Sequence, residues 1–211
     1  MARPRNFDEN QALDRAMLVF WQRGYAGTSI ADLVEATGLG RQSLYNTFGD
    51  KQSLFARALQ RYADKTASMT EPLRRPDAGI ATIRAFILSA LRFQKGANCG
   101  VCMVVKTAFD HQVPDPAIRQ VVQQAARASR KLYARVLERA QLRGEVDPTR
   151  DPEQLANYLF TVHNGLSPLG QSGASQAELE QALDLALSAV LPAPGARATE
   201  PGGSAPHLAR Q

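Results

Sequence analysis

Apolar residues recur at spacings of three and four along most of the chain, and this helical period limits its fold more than any other feature. No segment convincingly alternates apolar and polar residues as a half-buried strand would. Glycine stops several of the periodic segments, for example at Gly24, Gly38 and Gly144. The sequence therefore predicts an all-α fold.

The spacing predicts about nine helices. Four fall within the first 65 or so residues. One lies between Phe7 and Tyr25, two short ones stand on either side of Thr37-Gly38, and one that Asp50 caps runs through Tyr62. After a break flanked by Pro72 and Pro76, five more are expected around residues 80–96, 99–110, 118–137, 155–166 and 179–190.

Composition narrows the class of protein. The chain has 211 residues, 44% of them hydrophobic and 21% charged, which is typical of a globular protein. The formal net charge of +5 permits binding to a polyanion. We find no apolar run of about 18 residues and no secretory signal, so we expect a cytoplasmic protein with no membrane partner.

The two short helices meet at a tight turn that contains Gly38, and this arrangement fits a helix-turn-helix. In such a unit the second helix enters the DNA major groove, and here it carries polar side chains able to reach base edges. Hydroxyls at the start of the first helix and a lysine after the second could hold phosphates. The base-reading candidates are Arg41, Gln42, Ser43 and Asn46, and the phosphate candidates are Thr28, Ser29 and Lys51. The alternative is an ordinary pair of short amphipathic helices in an interaction protein that does not bind DNA.

A longer string of residues resembles the N-terminal signature of the TetR/AcrR family of transcriptional regulators. The likeness covers roughly residues 7 to 62 and includes Phe20-x-x-x-Gly24-Tyr25 before the two short helices. It continues through Thr28-Ser29-Ile30-x-Asp32-Leu33, Thr37-Gly38-Leu39 and Ser43-Leu44-Tyr45-x-x-Phe48-Gly49-Asp50-Lys51-x-x-Leu54-Phe55.

The resemblance implies a homodimer with a C-terminal effector domain and, usually, repression of transcription that a small-molecule effector relieves. It also implies that Tyr45 and Lys51 contact DNA phosphates and that Arg41, Gln42 and Asn46 read bases. The segment Cys102–Asp110 resembles a helix of one branch of the family, but Val101, Lys106 and Asp110 replace that branch's glycine, asparagine and glutamate. No ligand chemistry is therefore carried over from it.

These observations predict three parts. Residues 1–62 form the helix-turn-helix DNA-binding domain, residues 63–191 the effector-binding and dimerisation domain, and residues 192–211, rich in Pro, Gly, Ala and Ser, a disordered tail. Dimerisation is assigned to the apolar faces of the last two helices, which predicts a palindromic operator. Aromatic and sulfur side chains are the candidates for an effector pocket, namely Phe86, Phe93, Met103, Phe109 and Tyr133.

Cys99 and Cys102 leave a second hypothesis open, since two thiols near a helix N-terminus can act as a redox or metal sensor. The competing interpretation is that they are small core residues. No nucleophile, phosphate-loop or zinc-binding motif is present, and the three histidines are scattered. We therefore expect no enzyme activity, no cofactor and no metal site.

Overall fold

The computed structural model describes residues 7–110 and 115–192, and these contain nine α-helices and no strand. The all-α prediction is confirmed. The helices are α1 (Glu9–Arg23), α2 (Ile30–Thr37), α3 (Arg41–Phe48), α4 (Lys51–Arg74), α5 (Ile80–Gly96), α6 (Met103–Phe109), α7 (Pro116–Leu142), α8 (Pro152–Gln171) and α9 (Gln176–Ser188).

Helix α4 is longer than the sequence predicts. Asp50 caps it through a hydrogen bond to the Ser53 amide, but the helix continues past Tyr62 to Arg74. Leu73 in its last turn is completely buried against the C-terminal helices. The domain boundary expected at residue 62 therefore falls inside one continuous helix, whose two ends pack in different cores.

The buried residues form two clusters. The N-terminal core is made mainly by α1 to α4, with Met103 of α6 and Ile118 of α7, and is built around Phe20, Trp21 and Phe55. The C-terminal core is made mainly by α5, α7, α8 and α9, around Ile87, Leu137 and Leu183. The tail expected over 192–211 lies outside the described residues except for Pro192, and so do His111 and His207.

The segment from Cys99 to Asp110 joins the two halves. Trp21 Nε1 donates a hydrogen bond of 2.6 Å to the Val101 carbonyl, and Lys106 Nζ donates to the Trp21 carbonyl at 3.0 Å. The Asp110 carboxylate accepts a hydrogen bond of 3.1 Å from the amide of Ala26. These contacts fasten the loop before α6, and α6 itself, to the end of α1 and the turn that follows it.

Within the described ranges, no helix is long and apolar enough to cross a membrane.

Candidate nucleic-acid interface

Helix α2 begins at a capping box. The Ser29 hydroxyl accepts a hydrogen bond from the Asp32 amide, and the Asp32 carboxylate accepts from the Ser29 amide at 2.7 Å. The hydrogen bonds that the Ser29 amide and hydroxyl donate to the Asp32 carboxylate lower the pKa of Asp32. Thr28 differs from the expectation, because it is buried and its hydroxyl donates to the Gly24 carbonyl at 2.7 Å. Its side chain braces the turn before α2 and is not available to a phosphate.

The turn between α2 and α3 is held on both sides. Gly38 adopts the left-handed conformation with φ of 72°, and its amide donates to the Val34 carbonyl at 3.0 Å. The Thr37 hydroxyl donates to the Leu33 carbonyl and accepts from the Leu39 amide, and Leu39 is buried. The angle between the two helices is therefore fixed by backbone and core contacts.

Helix α3 buries one face and exposes the other. Leu44 and Phe48 lie in the N-terminal core, as the sequence predicts. The polar face carries the four residues predicted to read bases, and all four are exposed: Arg41, Gln42, Ser43 and Asn46.

The exposed face of α3 is rich in hydrogen-bond donors and acceptors. Gln42 Nε2 donates to Asn46 Oδ1 at 3.0 Å, and the Arg41 guanidinium lies 5.8 Å from the centroid of the Tyr45 ring. No acidic residue occurs from Gly38 to Gly49. A short, exposed, acid-free helix of this kind fits in the major groove and can donate to base edges and phosphates.

Tyr45 and Lys51 are less exposed than the four residues of α3. Both are half-buried, and the Lys51 ammonium lies 4.3 Å from the centroid of the Tyr25 ring. Burial lowers the pKa of Lys51, while the carboxylates of Asp110 and Asp32 oppose that shift. The positive charge is thus held in a defined place at the start of α4.

Arg57 is a supporting residue that sequence reasoning missed. Its guanidinium lies 4.9 Å from the centroid of the Phe48 ring and donates to the Thr47 carbonyl at 3.3 Å and to Glu9 Oε1 at 2.6 Å. It therefore ties the end of α3 to α1 and α4. Arginine is common on the polar face of an amphipathic helix, and α4 also carries Arg61 and Arg74, so the sequence does not single out Arg57.

The structure separates the five residues predicted to line an effector pocket. Phe93 packs on Trp21, and Met103 is almost fully buried, so both belong to the N-terminal core. Phe109 is 75% exposed at the end of α6. Only Phe86 and Tyr133 lie together.

Phe86 and Tyr133 contact His163, a half-buried residue of α8. The Tyr133 hydroxyl is 2.9 Å from Nδ1 of His163, and the Phe86 ring lies edge-on to the imidazole. Burial lowers the pKa of His163 to about 4. This imidazole is neutral near pH 7 and is a packing group with a satisfied hydrogen bond.

The two thiols are free and lie at the edge of the N-terminal core. Cys99 is buried, its Sγ donates to the Ala97 carbonyl, and burial raises its pKa to about 11. Cys102 is the residue before α6 but makes no capping hydrogen bond through its side chain. The raised pKa of Cys99 is the opposite of the shift expected for a reactive thiol.

Among residues 7–110 and 115–192, no three His, Cys, Asp or Glu side chains come together as metal ligands would.

Two family models match the sequence. The model described as bacterial regulatory proteins, tetR family, matches residues 12–58, and that described as tetracyclin repressor-like, C-terminal domain, matches residues 79–186. The HTH-type transcriptional repressor ComR of Escherichia coli is 34% identical over 188 residues, which cover 85% of this chain and 87% of ComR. The repressor BdcR of the same species is 29% identical over 180 residues, covering 84% and 86% of the two chains.

A solved structure shows the same fold bound to DNA. It is a cysteine mutant of the TetR family transcriptional regulator CifR in complex with a 26-bp double-stranded operator. CifR is 29% identical to this chain, the match covers 90% of this chain and 100% of CifR, and the TM-score is 0.80. The helix-turn-helix geometry, the nine-helix fold and these matches lead to one assignment. The chain belongs to the TetR family of DNA-binding transcriptional regulators.

Proposed function

We propose that this regulator is a homodimeric repressor that binds a palindromic operator through α3 and is released from it by a small-molecule effector. The observation that carries the proposal is the exposed, acid-free face of α3, fixed from behind by Leu44, Phe48 and Arg57. A helix presented in this way places its side chains at base edges with little reorganisation on binding. A protein that binds operator DNA has to share a compartment with the chromosome, so we assign it to the cytoplasm.

Within this proposal the interface residues have different roles. Arg41, Gln42, Ser43 and Asn46 project from α3 and are assigned to base edges. Tyr45 and Lys51 are assigned to phosphates, with Ser29 at the exposed start of α2. Thr28 is not included, because its hydroxyl is used inside the fold.

The dimer is assigned to α8 and α9, but to a different face from the one that periodicity suggests. Leu183 and Leu187 are buried in the C-terminal core of the single chain, so the main apolar stripe of α9 is already covered. Large apolar side chains remain outside, with Leu185 75%, Leu169 42% and Tyr158 41% exposed. Pairing through a two-fold axis would cover these side chains in both copies.

The sensor hypothesis is weaker than the effector hypothesis. Cys99 is buried with a raised pKa, and a thiol in that state reacts slowly. Packing accounts for both cysteines, since each lies in or against the N-terminal core. We accordingly assign regulation to a ligand site in the C-terminal half and propose no enzyme activity.

The test begins with fragments of the source genome selected on the purified protein. We expect the enriched fragments to share an inverted repeat and to bind with an affinity that falls steeply as salt rises. A reporter gene placed behind one such fragment should be expressed less when the protein is present. Enrichment of no common sequence, or a reporter that the protein does not repress, would contradict the proposal.

A further inference from the structure

A small cavity lies between α5, α8 and the start of α9, beside the loop that precedes α6. Its volume is about 90 Å³. Leu91, Leu166 and Leu179 give it apolar walls. This is below the roughly 300–1,000 Å³ of most ligand pockets, so the cavity suits only a small molecule with a short apolar body, and it lies apart from the helix-turn-helix.

One buried polar side chain of this cavity is only half satisfied. Gln94 is 4% exposed, and its Oε1 accepts a hydrogen bond from the buried hydroxyl of Ser167. Its amide nitrogen donates to no acceptor among the residues described, although Gln94 lines the cavity. The described residues do not enclose this nitrogen, so it is open to the cavity, where a ligand or water can accept a hydrogen bond from it.

The charges around the cavity have a single sign. Arg92 and Lys95 line it from the exposed side of α5, and neither forms an ion pair with any residue in the described ranges. No acidic side chain lines the cavity in the part of the chain that is described. Two cations at the mouth and amide donors inside favour an anionic acceptor, whereas the leucine walls favour an apolar body.

We propose that this cavity binds a small organic anion, a carboxylate on a short apolar body, as the effector. The inference rests on the proposed function, since it names the ligand class and the place of the effector site. The carboxylate accepts from Gln94 and is held by Arg92 and Lys95, while the apolar body packs on the leucines.

The cavity touches the segment that joins the two halves of the molecule. Gly100 and Gln171 line it, and they are so close that a Cβ added at Gly100 would lie 2.9 Å from the Gln171 side chain. The next residue, Val101, accepts the hydrogen bond from Trp21 of α1. A ligand that displaces Gln171 or Gly100 therefore moves the loop that fastens α1, and through α1 the helix-turn-helix.

Calorimetric titration of the full-length protein tests the ligand class with benzoate and hexanoate as probes. The uncharged controls are benzamide and hexanamide, which keep the apolar body and remove the charge. We expect saturable binding of one carboxylate per chain, about tenfold or more tighter than the matching amide, because hydrogen bonds to charged groups are the stronger ones. If neither carboxylate shows saturable binding, or if the amides bind equally well, the proposal is overturned.

Three variants locate the site. The double variant R92Q/K95Q removes the two exposed charges, and Q94L removes the buried donors; each should weaken carboxylate binding about tenfold. Arg135→Gln, which removes an exposed cation of α7 away from the cavity, should leave it unchanged. Should Q94L fail to fold, the double variant alone decides, since its side chains are exposed. Unchanged binding in the double variant contradicts the assignment.

DNA binding is measured separately, so that failure of the ligand class and failure of the proposed function can be told apart. Without probe, the wild type should bind its selected operator. Saturating carboxylate should lower that affinity at least fivefold in the wild type and less in the double variant. Operator binding that no carboxylate alters overturns this inference and leaves the repressor proposal standing. Absence of any operator binding overturns the repressor proposal, and the effector role with it.

Discussion

Arg41 and Lys51 both carry positive charge near the helix-turn-helix, but their surroundings differ. Arg41 is exposed on α3, whereas the Lys51 ammonium is half-buried over the Tyr25 ring at the start of α4. We expect R41A to lose about 1–3 kcal/mol of the free energy of operator binding and to relax the preference for a particular base at one base pair. We expect K51A to weaken binding to all DNA sequences alike. It should also reduce the slope of the logarithm of the binding constant against the logarithm of the salt concentration by about one.

Fluorescence anisotropy on the operator and on its single-base variants, at several salt concentrations, distinguishes these two effects. R135A is the matched control, because it removes an exposed cation of α7 that lies outside the interface. Loss of base preference in K51A, or a uniform loss in R41A, would show that the roles are wrongly assigned.

Cys99 gives a second prediction at the scale of one residue. Because burial raises its pKa to about 11, the thiol is almost wholly protonated at pH 8. Alkylation of Cys99 by iodoacetamide in the folded protein should therefore be far slower than in urea, and should accelerate as pH approaches 11. Mass spectrometry of timed samples measures this for each cysteine. Rapid labelling of Cys99 at pH 8 would revive the sensor hypothesis.

At the scale of single residues, the sequence predicts hydrogen bonds between a side chain and the backbone a few residues away. Asp50 caps α4 as the sequence predicts, because its carboxylate reaches the amide three residues ahead, and Ser29 caps α2 in the same way. Thr28 could not be predicted, since its burial depends on how α1 and α2 pack. Arg57 depends in the same way on three helices that meet only in the folded chain.

Helices α7 and α8 pack around the Tyr133 and His163 pair, and this packing predicts a pH dependence of stability. The pKa of His163 is about 4 in the folded chain, against 6.5 for an ordinary imidazole. Between pH 4 and 6.5 the unfolded chain therefore binds a proton that the folded chain does not. Stability is therefore lost as pH falls from about 6.5 to 4, by up to about 3 kcal/mol from this group.

Urea unfolding at pH 7, 5.5 and 4.5, at one protein concentration, measures that loss. H163Q keeps a polar side chain but cannot titrate, so its free energy of unfolding should fall less steeply over the same range. Equal slopes in the wild type and the variant would mean that His163 is accessible to protons in the folded state.

The positions of most helices follow from the spacing of apolar residues and from the residues that begin and end helices, and the sequence predicts them well. The end of α4 is not predicted, because residues 66–72 are mainly small or polar and break the apolar spacing before Leu73. The sequence also does not predict which of the five candidate effector-pocket residues lie together. Aromatic spacing shows that a face is buried, but it does not show that Phe93 faces Trp21 while Phe86 faces His163.

At the scale of the whole molecule, the proposed dimer predicts opposite effects for neighbouring leucines of α9. L185K places a charge on an exposed apolar side chain and should dissociate the dimer while the chain stays folded. L183K buries a charge in the C-terminal core and should unfold the chain instead. Sedimentation velocity and circular dichroism at micromolar concentration separate the two outcomes.

The matched control is L142K, since Leu142 is 89% exposed at the end of α7, outside α8 and α9. It should leave both mass and fold unchanged. A monomeric wild type, or a dimer that survives L185K, would contradict the assigned interface. Sequence periodicity cannot supply this distinction, because it marks Leu183 as apolar without showing which neighbour covers it.

Selection of binding sites from randomised duplex DNA tests the central claim, that the exposed face of α3 reads an operator. The wild type is compared with a variant in which Arg41, Gln42, Ser43 and Asn46 are all alanine, which leaves the buried Leu44 and Phe48 in place. The wild type should enrich an inverted repeat, and the variant should fold but enrich none. The same repeat enriched by both proteins, or no repeat enriched by the wild type, would contradict the claim.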